Sequence, residues 1–152
     1  MPEPRRIPAD SPTALALVDA MVAEVAVGYD VPDLSGGPSA SPEDFSPPGG
    51  CFVALYDEAG RAVAGGGVKR LGPDVAELKR MYVVPDRRGS GLGRALLAAL
   101  EDAARDLGYA RVRLDTGPQQ PEAEALYRAS GYREIGNYNA NPWASFWGEK
   151  VL

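Results

Sequence analysis

Residues 88–94, Arg-Gly-Ser-Gly-Leu-Gly-Arg, combine three glycines with two arginines where an apolar run gives way to an amphipathic one. At a helix N-terminus such glycines let the backbone turn tightly, and several N–H groups then converge on one point. The helix dipole favours an anion there, and Arg88 and Arg94 add positive charge. The segment Arg88, Gly89, Ser90, Gly91, Leu92, Gly93, Arg94 therefore reads as a pyrophosphate cradle. It reads equally well, on its own, as a plain glycine-rich turn. A P-loop needs Gly-Lys-Ser/Thr at its end, whereas Gly93 is followed by Arg94 and Ala95. A dinucleotide fingerprint is closer, because Asp115 ends the next apolar run, at about the distance of a ribose contact. Its glycine spacing fails, since Arg94 or Leu96 stands where the third glycine belongs.

The chain has no histidine, one cysteine and a formal charge of −5. Without histidine there is no Ser-His-Asp or Cys-His site and no His-ligated metal, so no metal is expected. Any acid or base is Glu, Asp, Tyr, Lys or Cys. Cys51 alone allows neither an intrachain disulfide nor a CxxC pair, which fits a reducing, cytoplasmic setting. The acidic balance argues against a grip on nucleic acid, which needs a clustered basic face. No run approaches the roughly 18 apolar residues of a membrane span, and no export signal is read at the N-terminus.

The elements that must position the glycine loop follow from periodicity. After a short extended lead around Arg5 to Pro8, a helix is expected from Asp10 or Ser11 to Val27, stopped at Gly28. Residues 30–50 are crowded with Pro, Gly and Ser and read as a long loop with at most one helical turn. CFVALYD and RAVAGGGVKRL form a hairpin around Glu-Ala-Gly, and VAELKRMYVV follows as a third antiparallel strand ended by Pro85. The glycines of GGGVKR suggest a bulge or tight packing. The glycine loop then enters a helix closed by Gly108, followed by the strand YARVRLDT, the short helix PEAEALYRASG, and the closing strands YREIG and ASFWGEKVL. At 152 residues this is one α/β domain, a mixed sheet with helices on both faces.

With these residues in place, Arg88-x-x-Gly91-x-Gly93 resembles the Q/R-x-x-G-x-G/A acyl-CoA signature of the GNAT superfamily of N-acetyltransferases. Glu77 in AELKRMYVVP stands eleven residues before Arg88 and resembles that family's central strand, which often bears a glutamate base. QPEAEALYRASGYREI resembles its late segment. The resemblance is specific from about Val75 to Ile135. It implies a GNAT fold: a mixed, mostly antiparallel sheet of six to seven strands, splayed in the middle and flanked by about four helices. It also implies that the backbone of Met81, Tyr82 and Val83 pairs with the pantetheine arm of acetyl-CoA. Gln120 stands where the family commonly has asparagine, one methylene shorter.

For acyl transfer to an amine, the resemblance gives Glu77 the role of base and Tyr127 that of general acid toward the departing thiolate, with a backbone N–H near Val83 polarising the thioester. Each side chain has a blander reading. Glu77 can simply pair with Lys79, and Tyr127 can pack with Leu126 in a buried stripe. Trp143, Phe146 and Trp147 read as core or edge packing, although Tyr138 and Trp143 flank a polar loop, NYNANPWAS, that can rim an acceptor site. Cys51 reads as a small buried hydrophobe.

The expected activity is acetyl transfer from acetyl-CoA to a small-molecule amine by direct attack. A CoA-binding regulatory module without turnover is the alternative, and a nucleotide-binding oxidoreductase fails on the glycine spacing. The acceptor pocket is expected among the first helix, the 30–50 loop and the 137–147 loop. Asp30, Asp33, Glu43 and Asp44 there favour a cationic metabolite, amino acid or polyamine-like amine. The family's habit of pairing through C-terminal strands makes a homodimer an expectation.

Overall fold

A computed structural model describes residues 2–31 and 40–152. Seven strands form one sheet in the order β1-β2-β3-β4-β5-β7-β6. These are β1 (Glu3–Ile7), β2 (Cys51–Tyr56), β3 (Ala62–Arg70), β4 (Val75–Val83), β5 (Arg111–Thr116), β6 (Arg133–Glu134) and β7 (Phe146–Val151). Every neighbouring pair is antiparallel except β4 and β5. The extended lead of the sequence is thus a full edge strand, with Glu3 to Ile7 laid against Tyr56 to Phe52.

Three α-helices flank the sheet: α1 (Pro12–Gly28), α2 (Leu92–Asp106) and α3 (Pro121–Ala129). The expectation of four is corrected for the described residues. The described part of the 30–50 loop contributes only a single 3-10 turn at Pro42–Phe45, because its prolines and glycines cannot sustain a longer helix. Asp33 lies outside the described residues. Ser11 caps α1 by accepting the Ala14 N–H on its hydroxyl, 3.3 Å away, and the helix runs through Gly28 to a C-cap at Tyr29, one residue past the expected end.

Two apolar clusters hold the layers together. Leu17 of α1, Phe45 and Phe52 lie on one face; Leu96, Leu97 and Leu100 of α2, with Tyr127 of α3, lie on the other against Val68, Leu78 and Leu114. Burial of such side chains contributes about 1.5–3 kcal/mol each. The β3 glycines permit close approach: a Cβ on Gly65 would come within 2.7 Å of Leu17, and one on Gly67 within 2.3 Å of the Phe45 ring. The bulge expected in that run lies instead on β4. Gly65 pairs with Tyr82 and Gly67 with Lys79, so Gly66 faces both Arg80 and Met81. Arg80, the extra residue, takes a left-handed φ of 61°.

Candidate active site

The parallel strands β4 and β5 pair only from Val75–Arg111 to Glu77–Arg113. β4 then continues to Val83, about 20 Å of strand with no partner on that side. This is the splay that the family resemblance implies. Because the Val84 N–H donates to the Val63 carbonyl on β3, alternation along the ladder turns the polar groups of Val83 to the open side. The Val83 carbonyl there accepts Arg88 Nε at 3.0 Å.

A cleft of ≈ 820 Å³ opens along this free edge, lined by Met81, Tyr82, Val83, Arg88, Gly89, Gly91, Leu92, Gly93 and Gln120, together with Met21, Glu24 and Tyr29 of the α1 end. Nine of the expected cofactor residues thus meet in one cavity. Gly89 and Gly91 take φ of 79° and 85°, and a Cβ at either would meet nothing within 4 Å. Gly91 is the N-cap of α2, and among the described residues no side chain caps that helix. Its first amides therefore remain available to an anion. The cleft, its free strand edge and this uncapped terminus suit a long thioester ending in phosphates.

Ser90 and Arg94 depart from the expectation. Ser90 donates its hydroxyl to the Arg87 carbonyl at 2.6 Å, which closes the turn, and exposed Arg94 does not line the cleft. Arg88 stacks 5.4 Å above the Tyr82 ring and pairs with Glu24 of α1 at 2.8 Å. Gln120 accepts a hydrogen bond from the Thr116 hydroxyl at 3.3 Å, which ties the start of α3 to the end of β5.

Glu77 sits at the branch point itself and is 3% exposed. Its Oε2 accepts the Tyr138 hydroxyl at 2.6 Å and Asn139 Nδ2 at 3.1 Å, while Lys79 Nζ stands 3.8 Å from Oε1. Asn139 Nδ2 also reaches Asp115 Oδ2 at 2.6 Å, so one amide bridges carboxylates from the two diverging strands. The Lys79 pairing anticipated as the bland alternative is present, but two neutral donors approach more closely. Burial, followed by the charge and hydrogen bond of Glu77, pushes the Tyr138 phenol far above its usual value, so it remains a donor.

Tyr127 is buried at 7% exposure, and its hydroxyl meets Met81 Sδ at 3.6 Å. A thioether is a weak acceptor, which leaves this proton available to a stronger one. Burial, and to a lesser extent Asp115, raises the phenol above its normal range. Its ring also packs against Tyr132, and Tyr127 itself does not line the cleft; its hydroxyl meets the cleft-lining Met81 from behind.

A model of the Acetyltransferase (GNAT) family matches residues 20–132. The chain belongs to the GNAT acetyltransferase family. Among curated GNAT relatives, it is 41% identical over 73 residues to the IAA acetyltransferase of Azospirillum brasilense, covering 46% of this chain and 48% of that one. It is 36% identical over 94 residues to the Escherichia coli N-acetyltransferase YjgM, covering 60% and 56%. Each match spans less than two thirds of the relative's length. Among solved structures, a Klebsiella pneumoniae protein provisionally named acyl-CoA N-acyltransferase shares 30% identity with a TM-score of 0.76, covering 100% of this chain and 98% of that one. The Thermoplasma acidophilum PaiA N-acetyltransferase, solved with coenzyme A, superposes with a TM-score of 0.73 at 18% identity over 100% and 99% of the two chains.

Several site residues of this GNAT chain escaped the sequence reading. Asp115 entered it only as a candidate ribose contact, and Tyr29 not at all. Trp147 does more than pack, whereas the Trp143 ring packs as expected. Trp147 donates its indole N–H to Asn139 at 3.0 Å, and Trp143 lies 6.0 Å from the Tyr29 ring. The signal lay in the polar, asparagine-rich loop, whose direction only the fold supplies. Asp44 accepts the Ser41 N–H at 2.8 Å and is committed to that turn rather than to a pocket. No described helix is long and apolar enough to cross a membrane.

Proposed function

We propose that this protein transfers an acetyl group from acetyl-CoA to the amine of a small-molecule acceptor by direct attack. The observation that carries this reading is the free edge of β4, which leads from the Glu77 branch point along Met81–Val83 to the uncapped N-terminus of α2. Pyrophosphate sits on the α2 amides and Arg88, and the pantetheine arm pairs with the free strand edge. The thioester then lies along the free edge between Val83 and the branch point, beside Met81 and the Tyr127 hydroxyl, where an amine arriving from the 137–147 loop side meets it.

Three tasks fall to the chain. Glu77, reached through a water because its own burial excludes direct contact, takes the proton from the attacking ammonium. The outward N–H of Val83 meets the negative charge that develops on the carbonyl oxygen. The Tyr127 hydroxyl protonates the departing sulfur, exchanging a weak thioether contact for a strong acceptor. The only cysteine, Cys51, is buried in the apolar cluster with its thiol pushed up by burial, and it does not line the cleft. That position supports transfer without an acyl-enzyme.

Thermal shift with acetyl-CoA, CoA, NAD and ATP, followed by thiol release with an amine panel, tests this function. Stabilisation by the CoA species with amine-dependent thiol release is expected. Stabilisation without turnover would favour the regulatory-module reading, and a preference for NAD would overturn both.

A further inference from the structure

Arg80 is a charged residue that the proposed chemistry leaves unused. It is the extra residue of the β4 bulge, held at a φ of 61°. A non-glycine residue there is strained, and bulges beside active sites commonly re-aim a side chain. Arg80 Nε is buried and has no hydrogen-bond partner among the described residues. Among the described residues no carboxylate forms an ion pair with the guanidinium; the other arginines of the strand-to-helix passage, Arg87 and Arg88, hold Asp57 and Glu24 at 2.8 Å each. Burial alone acts on its proton affinity, lowering it. Arg80 as a whole is half-buried, but a guanidinium Nε–H shut away from solvent without an acceptor is unfavourable until one completes it.

Arg80 lies three residues beyond Glu77, roughly 10 Å of extended strand, within the combined reach of an arginine side chain and a small metabolite. A second orphan donor, Trp143 Nε1, belongs to the loop that carries Tyr138 and Asn139 to Glu77. Both orphans are donors, so what is missing is an acceptor oxygen.

We propose that Arg80 binds the carboxylate of the acceptor, and that the acceptor is therefore an amino acid or similar aminocarboxylate rather than a polyamine. A planar guanidinium matches a carboxylate in a two-point contact. One uncompensated positive charge suits a monoanion; a phosphate dianion would leave excess negative charge near Glu77 and Asp115. The inference rests on the proposed acetyl transfer and narrows its acceptor.

The test compares the twenty protein L-amino acids with their amides and decarboxylated amines, in the wild type and in Arg80→Asn. Asparagine tolerates a left-handed φ, so this variant removes the charge without adding strain. Calorimetry with CoA verifies that its cleft is intact. For the best amino acid, the ratio of kcat/KM for the acid over its amide is expected to favour the acid in the wild type and to fall roughly 100-fold in Arg80→Asn, mainly through KM. Wild-type enzyme that prefers amides or decarboxylated amines, or an unchanged ratio in the variant, would overturn the carboxylate assignment while leaving acetyl transfer standing. If no amine is turned over, the transfer reading fails, and calorimetry of the CoA complex with the same panel decides the inference separately. Amino-acid binding that Arg80→Asn abolishes supports it, and its absence overturns it.

Discussion

Tyr138 donates its hydroxyl proton to Glu77 Oε2 across 2.6 Å, joining the C-terminal loop to the strand at which the sheet divides. A buried carboxylate held this way is fixed in direction, and the donor is one whose own ionisation is strongly opposed. Tyr138→Phe removes the bond that fixes the carboxylate's direction, so kcat should fall about 10-fold, a fraction of a general-base effect. Acetyl-CoA affinity should stay within a few-fold. A kcat equal to wild type would detach Tyr138 from the chemistry.

Glu77→Gln keeps the size of the side chain and removes its basicity. Turnover should fall most at low pH, where the acceptor amine is protonated, and recover in part as pH rises. The check is kcat/KM from pH 6 to 10; a uniform loss across that range would indicate a structural role for Glu77 in the Asn139 bridge.

Tyr127→Phe deletes a hydroxyl while keeping the ring that packs on Tyr132. The melting temperature should change little, and turnover should drop about 10²-fold, the lower end of general-acid effects. A thioester with a more acidic leaving thiol should shrink that deficit. Equal deficits for both thioesters would assign the hydroxyl to positioning.

The pyrophosphate cradle is tested from both sides of its charge balance. Gly91→Glu should abolish CoA binding, whereas Gly91→Asn, which accepts the φ of 85° without a charge, should retain most of it. Arg88→Ala should weaken binding in a salt-sensitive way. Glu24→Gln frees Arg88 from its half-exposed pair and should tighten binding by roughly 2- to 5-fold, as suits an exposed ion pair. Weaker binding in Glu24→Gln would place the Arg88 guanidinium elsewhere in the complex.

Tyr127, Tyr132 and Tyr138 all hold their protons above the ordinary tyrosine range, with burial the largest cause in each. The unfolded chain releases those protons near pH 10 and the folded chain does not. Stability is therefore fully present below about pH 10 and declines above it, by roughly 1.4 kcal/mol per pH unit per phenol. Denaturant titrations at pH 9, 10 and 11 should show this fall, with a shallower slope in Tyr138→Phe. A flat profile would mean that these phenols ionise in the folded state.

How much of this was legible in the sequence differs by residue. Ser11 caps α1 in the sequence and in the structure, and the glycine loop meets α2 at Gly91, because caps and left-handed turns are decided by local chemistry; Gly28 does not take a left-handed turn, and α1 runs through it to Tyr29. The β4 bulge was displaced onto Arg80, because a glycine run shows that two strands approach closely but not which strand carries the extra residue. The bridge among Glu77, Asn139 and Asp115 joins residues up to 62 positions apart, and no local pattern encodes such a contact. Trp147 reads as packing in the sequence because an indole's apolar area outweighs its single N–H in any sequence scale, and its bond to Asn139 depends on the fold.

The most direct test of direct acetyl transfer is a single turnover with acetyl-labelled acetyl-CoA and the aminocarboxylate panel, followed by mass spectrometry of both the small molecules and the intact protein. The label is predicted on the acceptor amine, appearing as fast as the thiol is released, with none on the protein at any time. Label accumulating on Cys51 or another side chain before it reaches the amine, or thiol release that yields only free acetate, would contradict direct transfer.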